Sequence, residues 1–377
     1  MHKKFDDIRP YFDSEIPEAM KRIADSEYFP ALAKFVFPHL SIDDVKNIAK
    51  GYANIYEFQS DAMSKFNEQV IMRSVDKFTF SGLEHLAPAK AYLFISNHRD
   101  IVLDSSLLQY ILLNNGFRTT DITFGNNLMS SPLIIDLGRS NKMFKVMRGE
   151  TPREFYKTSL HLSEYIRHAI TERNESVWIA QRSGRTKDGN DATDQGIIKM
   201  FCMSGDKNPA KALNELNVVP ISISYQHEPC DFFKTREIYL SRNGNKYVKE
   251  KDEDLVSVLT GITQFKGDVH ISICGLLDTR NLDSLASNSL FYKHALNMIN
   301  RQIYNNYKLH DTNYIAHDLR SETNAYAEHY TAQSKEQFIE RYNQVLEKFE
   351  TDKEIISRIF LGIYANSVDN VKTYTLK

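Results

Sequence analysis

FISNHRDIVLDSSLL, residues 94–108, carries an apolar run into Asn-His-Arg-Asp and then returns to apolar periodicity. The run reads as a buried strand. The stretch from about Asp104 to Asn114 has apolar residues at spacings of three and four, which predicts a helix that Gly116 terminates. A strand that ends in a histidine, followed by a helix that opens with an aspartate, is a place to hold a base and the acid that orients it.

The same texture extends on both sides. KFTFSGLEHL reads as a short strand and turn, AYLFIS as the strand that leads into the opening stretch, and DITFGNN and KMFKVMRG as strands followed by loops. Residues 152–172 form a long amphipathic helix in this reading, and SVWIAQR, NVVPISISY and DVHISICG read as further strands. Strands alternating with helical segments predict an α/β fold with a mixed, mostly parallel sheet flanked by helices. Residues 1–75 read as helices, with Pro38 as a breaker and Ser41 and Asp44 as a helix start. The pattern turns helical again from about 284 to 361. The expected organisation is therefore an N-terminal helical region (1–75), an α/β domain (76–283) and a C-terminal helical extension (284–377) packing on it. No internal repeat or low-complexity stretch interrupts it.

Composition narrows the function classes. The chain has 377 residues, 42% of them hydrophobic, so it can bury a substantial core. Its 47 basic and 49 acidic residues nearly cancel, which argues against a nucleic-acid partner. Cys202, Cys230 and Cys274 are widely spaced, which suits a reducing cytoplasm better than a disulfide framework or a zinc site. The opening MHKKFDDIRPYFD has no apolar core of secretory-signal type, and no run of about 18 apolar residues exists. The expectation is a cytoplasmic protein whose membrane contact, if any, is peripheral on the cytoplasmic face. FPALAKFVFP, with its aromatic ends, is the stretch to inspect for it.

Nucleophile-elbow, phosphate-loop, dinucleotide-glycine and zinc-protease motifs are all absent. Instead, four polar clusters stand at or near expected strand ends, where open α/β sheets keep their sites. They are Asn97-His98-Arg99-Asp100 with Asp104; Arg148-Gly149; Gln181-Arg182-Ser183-Gly184-Arg185 with Lys187; and Pro220 within NVVPISISY. SNHRDIVLD, FKVMRG, IAQRSGRTKDG and VVPISISY, in that order, resemble the blocks of the glycerolipid acyltransferase superfamily, whose members include glycerol-3-phosphate and lysophosphatidate acyltransferases. The resemblance covers about residues 76–280.

It implies a glycerol-3-phosphate acyltransferase-like fold and an O-acyltransferase of lipid metabolism and phospholipid biosynthesis. His98 would be the general base that deprotonates an acceptor hydroxyl as it attacks an acyl thioester, with Asp104 orienting the imidazole. Main-chain N–H groups at the start of the following helix would stabilise the oxyanion. Arg148, Arg182, Ser183, Gly184, Arg185 and Lys187 would bind substrate. The acceptor would be a glycerol-phosphate-type molecule, glycerol-3-phosphate or a lysophospholipid. Acyl-CoA or acyl carrier protein would be the co-substrate, with no cofactor and no metal. Two positions depart from the family blocks. One extra residue separates His98 from Asp104, which on a helix would rotate the aspartate by about 100° and leaves Asp100 as the alternative partner. Ser183 stands where the family usually has glutamate. A catalytically weakened lipid- or acyl-carrier-binding homologue and a thioester hydrolase stay open as readings of another kind.

Simpler explanations compete at each cluster. Asp188, Asp191 and Asp194 are ready partners for the cations of the third block. The metal-like run His227-Glu228-Pro229-Cys230-Asp231 lacks a second ligand group, and Tyr225 and Phe232-Phe233 read as packing residues.

Overall fold

The computed structural model describes residues 3–129, 131–147, 149, 151–245, 247–282 and 288–375. A seven-stranded sheet holds it together, built from β1 (Val75–Ser81), β2 (Leu93–Ser96), β3 (Asp121–Gly125), β4 (Met143–Val146), β5 (Val177–Ala180), β6 (Val218–Tyr225) and β7 (Gly267–Ile273), in the order β1-β7-β6-β2-β5-β3-β4. Each adjacent pair is parallel except β6 and β7, which are antiparallel. This is the mixed, mostly parallel α/β sheet that the strand–helix alternation predicts.

Side-chain alternation sets the two layers around it. Leu93, Ile95, Val177, Ile179 and Val218 point to one face, where they meet Tyr165 and Ile166 of the helix Pro152–Thr171 and Ala295, Ile299 and Ile303 of the helix Asn288–Asn305. Phe94, Trp178, Val219, Ile221 and Ile223 point to the other, against Leu103, Leu107, Leu108 and Ile111 of the helix Leu103–Asn114. All of β2 and β6 is buried, as expected for strands covered on both faces. The helix Leu103–Asn114 ends as its sequence predicts. Gly116 adopts φ +78°, and the N–H groups of Gly116 and Phe117 close back on the carbonyls of Leu113 and Leu112.

β2 is the centre of the chain's path. β3 and β4 lie to one side of it, β5 inserts next to it on that side, and β6 then pairs on the other, with Leu93 opposite both Val177 and Val218. The carboxyl end of β2 is therefore the point where the connections diverge, the usual place for a site in an open α/β sheet.

The N-terminal helices form their own core, in which Ile16, Met20, Ile23, Phe29, Phe37, Val45 and Phe58 pack with Leu133 and Leu137. FPALAKFVFP does not present its aromatic ends to solvent: Phe29 and Phe37 are 5% and 7% exposed. They fill this core because the amphipathic helices around them need an apolar partner. Among the described residues no helix is long and apolar enough to cross a membrane. The expected boundary at 283/284 lies outside the described residues.

His310 is buried beside Ser224 of β6, with Nε2 3.3 Å from the Ser224 hydroxyl. Burial, reinforced by Lys308, His270 and His227, pushes its pKa down to about 3. The unfolded chain then binds a proton that the folded chain refuses, so this contribution is full above the unfolded value of about 6.5 and is lost as pH falls below it. Between neutral pH and about pH 5, His310 alone should lower the free energy of unfolding by about 2 kcal/mol. Urea melts across that range test this, and His310→Gln should flatten the slope.

Candidate active site

Beyond Ser96, the Asn97 side chain replaces strand pairing. Its Oδ1 accepts the Ile223 N–H at 2.8 Å, and its Nδ2 donates to the Ile223 carbonyl at 2.9 Å and to Asp191 at 3.0 Å. The backbone is thus anchored on β6 immediately before His98. His98 Nδ1 lies 2.9 Å from Asp104 Oδ2. A carboxylate there accepts, so the proton sits on Nδ1 and the Nε2 lone pair is left for chemistry. The His98 side chain is 13% exposed and that of Asp104 1%.

Asp104 is held from four directions. Oδ2 also accepts the N–H groups of Arg99 at 2.6 Å and Asp100 at 3.0 Å, and Oδ1 accepts the Tyr225 hydroxyl at 2.7 Å. Burial, with Asp104 and Asp100 adding to it, pushes the Tyr225 phenol well above its usual range and keeps it a donor. The extra residue in the block causes no misalignment because residues 99–102 are not helical. The helix begins at Leu103, so Asp104 falls in its first turn. Asp100 is engaged elsewhere, since its Oδ1 accepts the N–H groups of Val102 and Leu103, each at 2.9 Å. Part of the main chain expected to supply oxyanion donors is committed to these carboxylates. The N–H groups of Arg99, Asp100, Val102 and Leu103 are all taken by the two carboxylates, which satisfy an otherwise buried loop.

Behind the pair lies a buried cluster of charges. Arg99, 1% exposed, bonds Asp191 through Nη2 at 2.6 Å and Nε at 3.1 Å, and Glu228 through Nη1 at 3.2 Å. Lys234 completes it, with Nζ 2.5 Å from Glu228 and 2.7 Å from the Arg99 carbonyl. Burial opposes the charge on Arg99, yet Asp191 and Glu228 hold its pKa well above the ordinary value. Two positive and two negative groups balance, which is what makes ions tolerable at this depth. Glu228 of the metal-like run is therefore an ion-pair partner. Among the described residues no cluster suited to a metal ion is found.

The third block leaves β5 as a loop across the same strand ends. Gln181 N–H bonds the Ser96 carbonyl at 2.8 Å, and Thr186 N–H bonds the His98 carbonyl at 2.7 Å. The loop is tied down by later helices. Gly189, at φ +80°, lies where a Cβ would sit 2.3 Å from the Ile363 carbonyl, and Asn366 donates to the Asp188 carbonyl at 2.7 Å. The Tyr304 hydroxyl accepts the Asp191 N–H at 2.7 Å, and Asn300 accepts from Thr193.

The substrate-binding residues expected from the sequence fare differently. Among the described residues the Arg182 side chain has no hydrogen-bonding or ionic partner. Arg185 reaches toward the buried Cys230 thiol, and its Nη1 has no hydrogen-bond partner. Ser183 and Gly184 are exposed, Gly184 at φ +74°. Lys187, by contrast, is paired with Glu237. Asp188, Asp191 and Asp194 do not neutralise the loop cations: they serve Asn190, Arg99 and Gly196. Arg148 lies outside the described residues, but Gly149 beside it is packed so that a Cβ would fall 2.2 Å from the Phe155 N. The sequence reading missed Tyr225 as a partner of Asp104. Its one signal was its place at the carboxyl end of a buried strand.

The site thus combines a His–Asp pair at the central strand end of a mostly parallel sheet with two arginines on the neighbouring loop that no carboxylate among the described residues answers. Residues 77–224 match the family model described as Acyltransferase. Over that stretch the chain is similar to the acyltransferase family. No curated protein matches the chain. Among solved structures it is similar to the 1-acyl-sn-glycerophosphate (LPA) acyltransferase PlsC from Thermotoga maritima, at 13% identity and a TM-score of 0.39, over 76% of this chain and 93% of that one.

Breaking the buried cluster leaves charge without a partner. Arg99→Leu should cost about 3–5 kcal/mol of stability. An unchanged urea midpoint in that variant would show that the cluster does not hold the loop.

Proposed function

We propose that this protein transfers a fatty acyl group from an acyl thioester, acyl-CoA or acyl carrier protein, to a hydroxyl of a glycerol-phosphate-type acceptor. The observation that carries the reading is the 2.9 Å contact between His98 Nδ1 and a fully bonded Asp104, which leaves Nε2 as a base. His98 Nε2 takes the proton of the acceptor hydroxyl as that oxygen attacks the thioester carbonyl. The tetrahedral intermediate then expels the thiolate, and the imidazolium returns the proton to it. Asp104 stabilises the imidazolium and fixes the ring. The thioester is already activated, so no covalent enzyme intermediate is needed, and Cys202, Cys230 and Cys274 are all buried.

Arg182 and Arg185 support a phosphate-bearing acceptor. Each offers guanidinium donors without a partner among the described residues, and a forked cation suits a phosphate. Ser183 gives this loop a hydroxyl in place of the family's usual carboxylate, so the anion is held by arginines without a nearby competing charge.

His98→Ala and Asp104→Asn should each lower kcat by about 10²–10⁴-fold in an acyl-transfer assay with palmitoyl-CoA and glycerol 3-phosphate or its 1-acyl derivative. Equal transfer by wild type and His98→Ala would sink the reading. Acceptor-independent release of free fatty acid would move it to a thioester hydrolase. Arg182→Ala should raise KM for the phosphate acceptor by about tenfold or more, and leave KM for the thioester little changed. Lys187→Ala should change neither, since its charge is already answered by Glu237.

A further inference from the structure

Trp178 stands on β5, in register with Phe94 of β2 and Ile122 of β3. It is 3% exposed, and its indole N–H has no hydrogen-bond partner among the described residues. A buried donor left unmade costs the desolvation of that group, so such a group calls for an explanation. Its surroundings supply one. The indole meets the His98 ring edge to face, with centroids 5.8 Å apart and planes at 73°. An acceptor oxygen within hydrogen-bond reach of His98 Nε2 brings the carbonyl it attacks beside this ring.

The reaction builds negative charge on that carbonyl oxygen, and four of the main-chain donors next to His98 are engaged elsewhere. The N–H groups of Arg99, Asp100, Val102 and Leu103 go to Asp104 and Asp100. An indole nitrogen is a donor only, so it has nothing to offer the hydroxyl proton that His98 removes. An acceptor atom of the substrate is what it fits.

We propose that Trp178 is a catalytic residue whose indole N–H donates to the thioester carbonyl oxygen as that oxygen becomes an oxyanion. The proposal rests on the reading of His98 as the base. The indole acts where water is excluded, and a preplaced donor there needs no reorganisation as the charge forms. Its energetic cost in the free protein is then recovered in the transition state, when the missing partner arrives.

Trp178 is the one tryptophan in the chain, which makes a clean test possible. Biosynthetic replacement of tryptophan by benzothienylalanine exchanges the indole N–H for sulfur and keeps the ring shape. Transfer from palmitoyl-CoA to glycerol 3-phosphate or its 1-acyl derivative should lose about 10²–10³-fold in kcat, with KM values little changed. Trp178→Phe should lose as much, and melting temperatures report whether either variant packs as wild type does. The wild-type protein gives an independent readout. A ketone analogue of palmitoyl-CoA, with the carbonyl kept and the ester bond made unreactive, should move the single indole ¹H–¹⁵N signal downfield.

Wild-type kcat in the sulfur analogue, or an indole signal that the ketone leaves in place, overturns the donor role. If His98→Ala is inactive in that same assay, the reading of His98 stands and only the tryptophan proposal falls. If wild type transfers nothing, or His98→Ala transfers fully, both fall together.

Discussion

A carboxylate almost without access to water must find donors on every side, and Asp104 organises the centre of this molecule by that demand. It draws on the imidazole at the end of β2, two successive main-chain amides, and a phenol at the end of β6. Meeting those four requirements fixes the shape of the loop 98–103 and the point at which the helix Leu103–Asn114 begins. The orientation of His98 follows from the same geometry. The imidazole is held because the carboxylate beside it is itself held by three other donors.

A second layer of ions secures the first. Arg99 follows His98 in the chain and turns inward, where Asp191 from the β5 loop and Glu228 from beyond β6 receive it. Lys234 grips the Arg99 carbonyl from below. The backbone carrying His98 is therefore fastened to parts of the chain far apart in sequence. On the loop after β5, Arg185 turns toward the buried Cys230 while Arg182 has no partner among the described residues.

The strands were legible because β2, β5 and β6 are short apolar runs bounded by polar punctuation, and burial on both faces demands that pattern. His98 and the third-block arginines stood out for the same reason, being polar groups where such runs stop. What escaped the reading depended on three dimensions. Counting residues could not choose between Asp100 and Asp104, since a non-helical loop does not advance by a fixed angle per residue. Arg99 and Lys234 look like surface charges until distant carboxylates are placed beside them. Glu228 sat in a run that resembled a metal motif, and Tyr225 looked like packing because its one polar atom has a partner 121 residues away. Phe29 and Phe37 misled in the other direction: their stretch looked suited to a surface, yet a small core of N-terminal helices encloses them.

The helix Lys353–Thr375 supplies Ser367 to Arg99, the Tyr364 hydroxyl to the Glu228 amide, and the Ile363 carbonyl and Asn366 against which the β5 loop rests. A nascent chain that has left the ribosome only as far as β7 already carries His98, Asp104 and both loop arginines, but the helix that packs on the ions beneath them is not yet made. Synthesis of this late helix thus completes the packing of the centre, so a stalled or truncated translation product would hold the His98–Asp104 pair without these contacts.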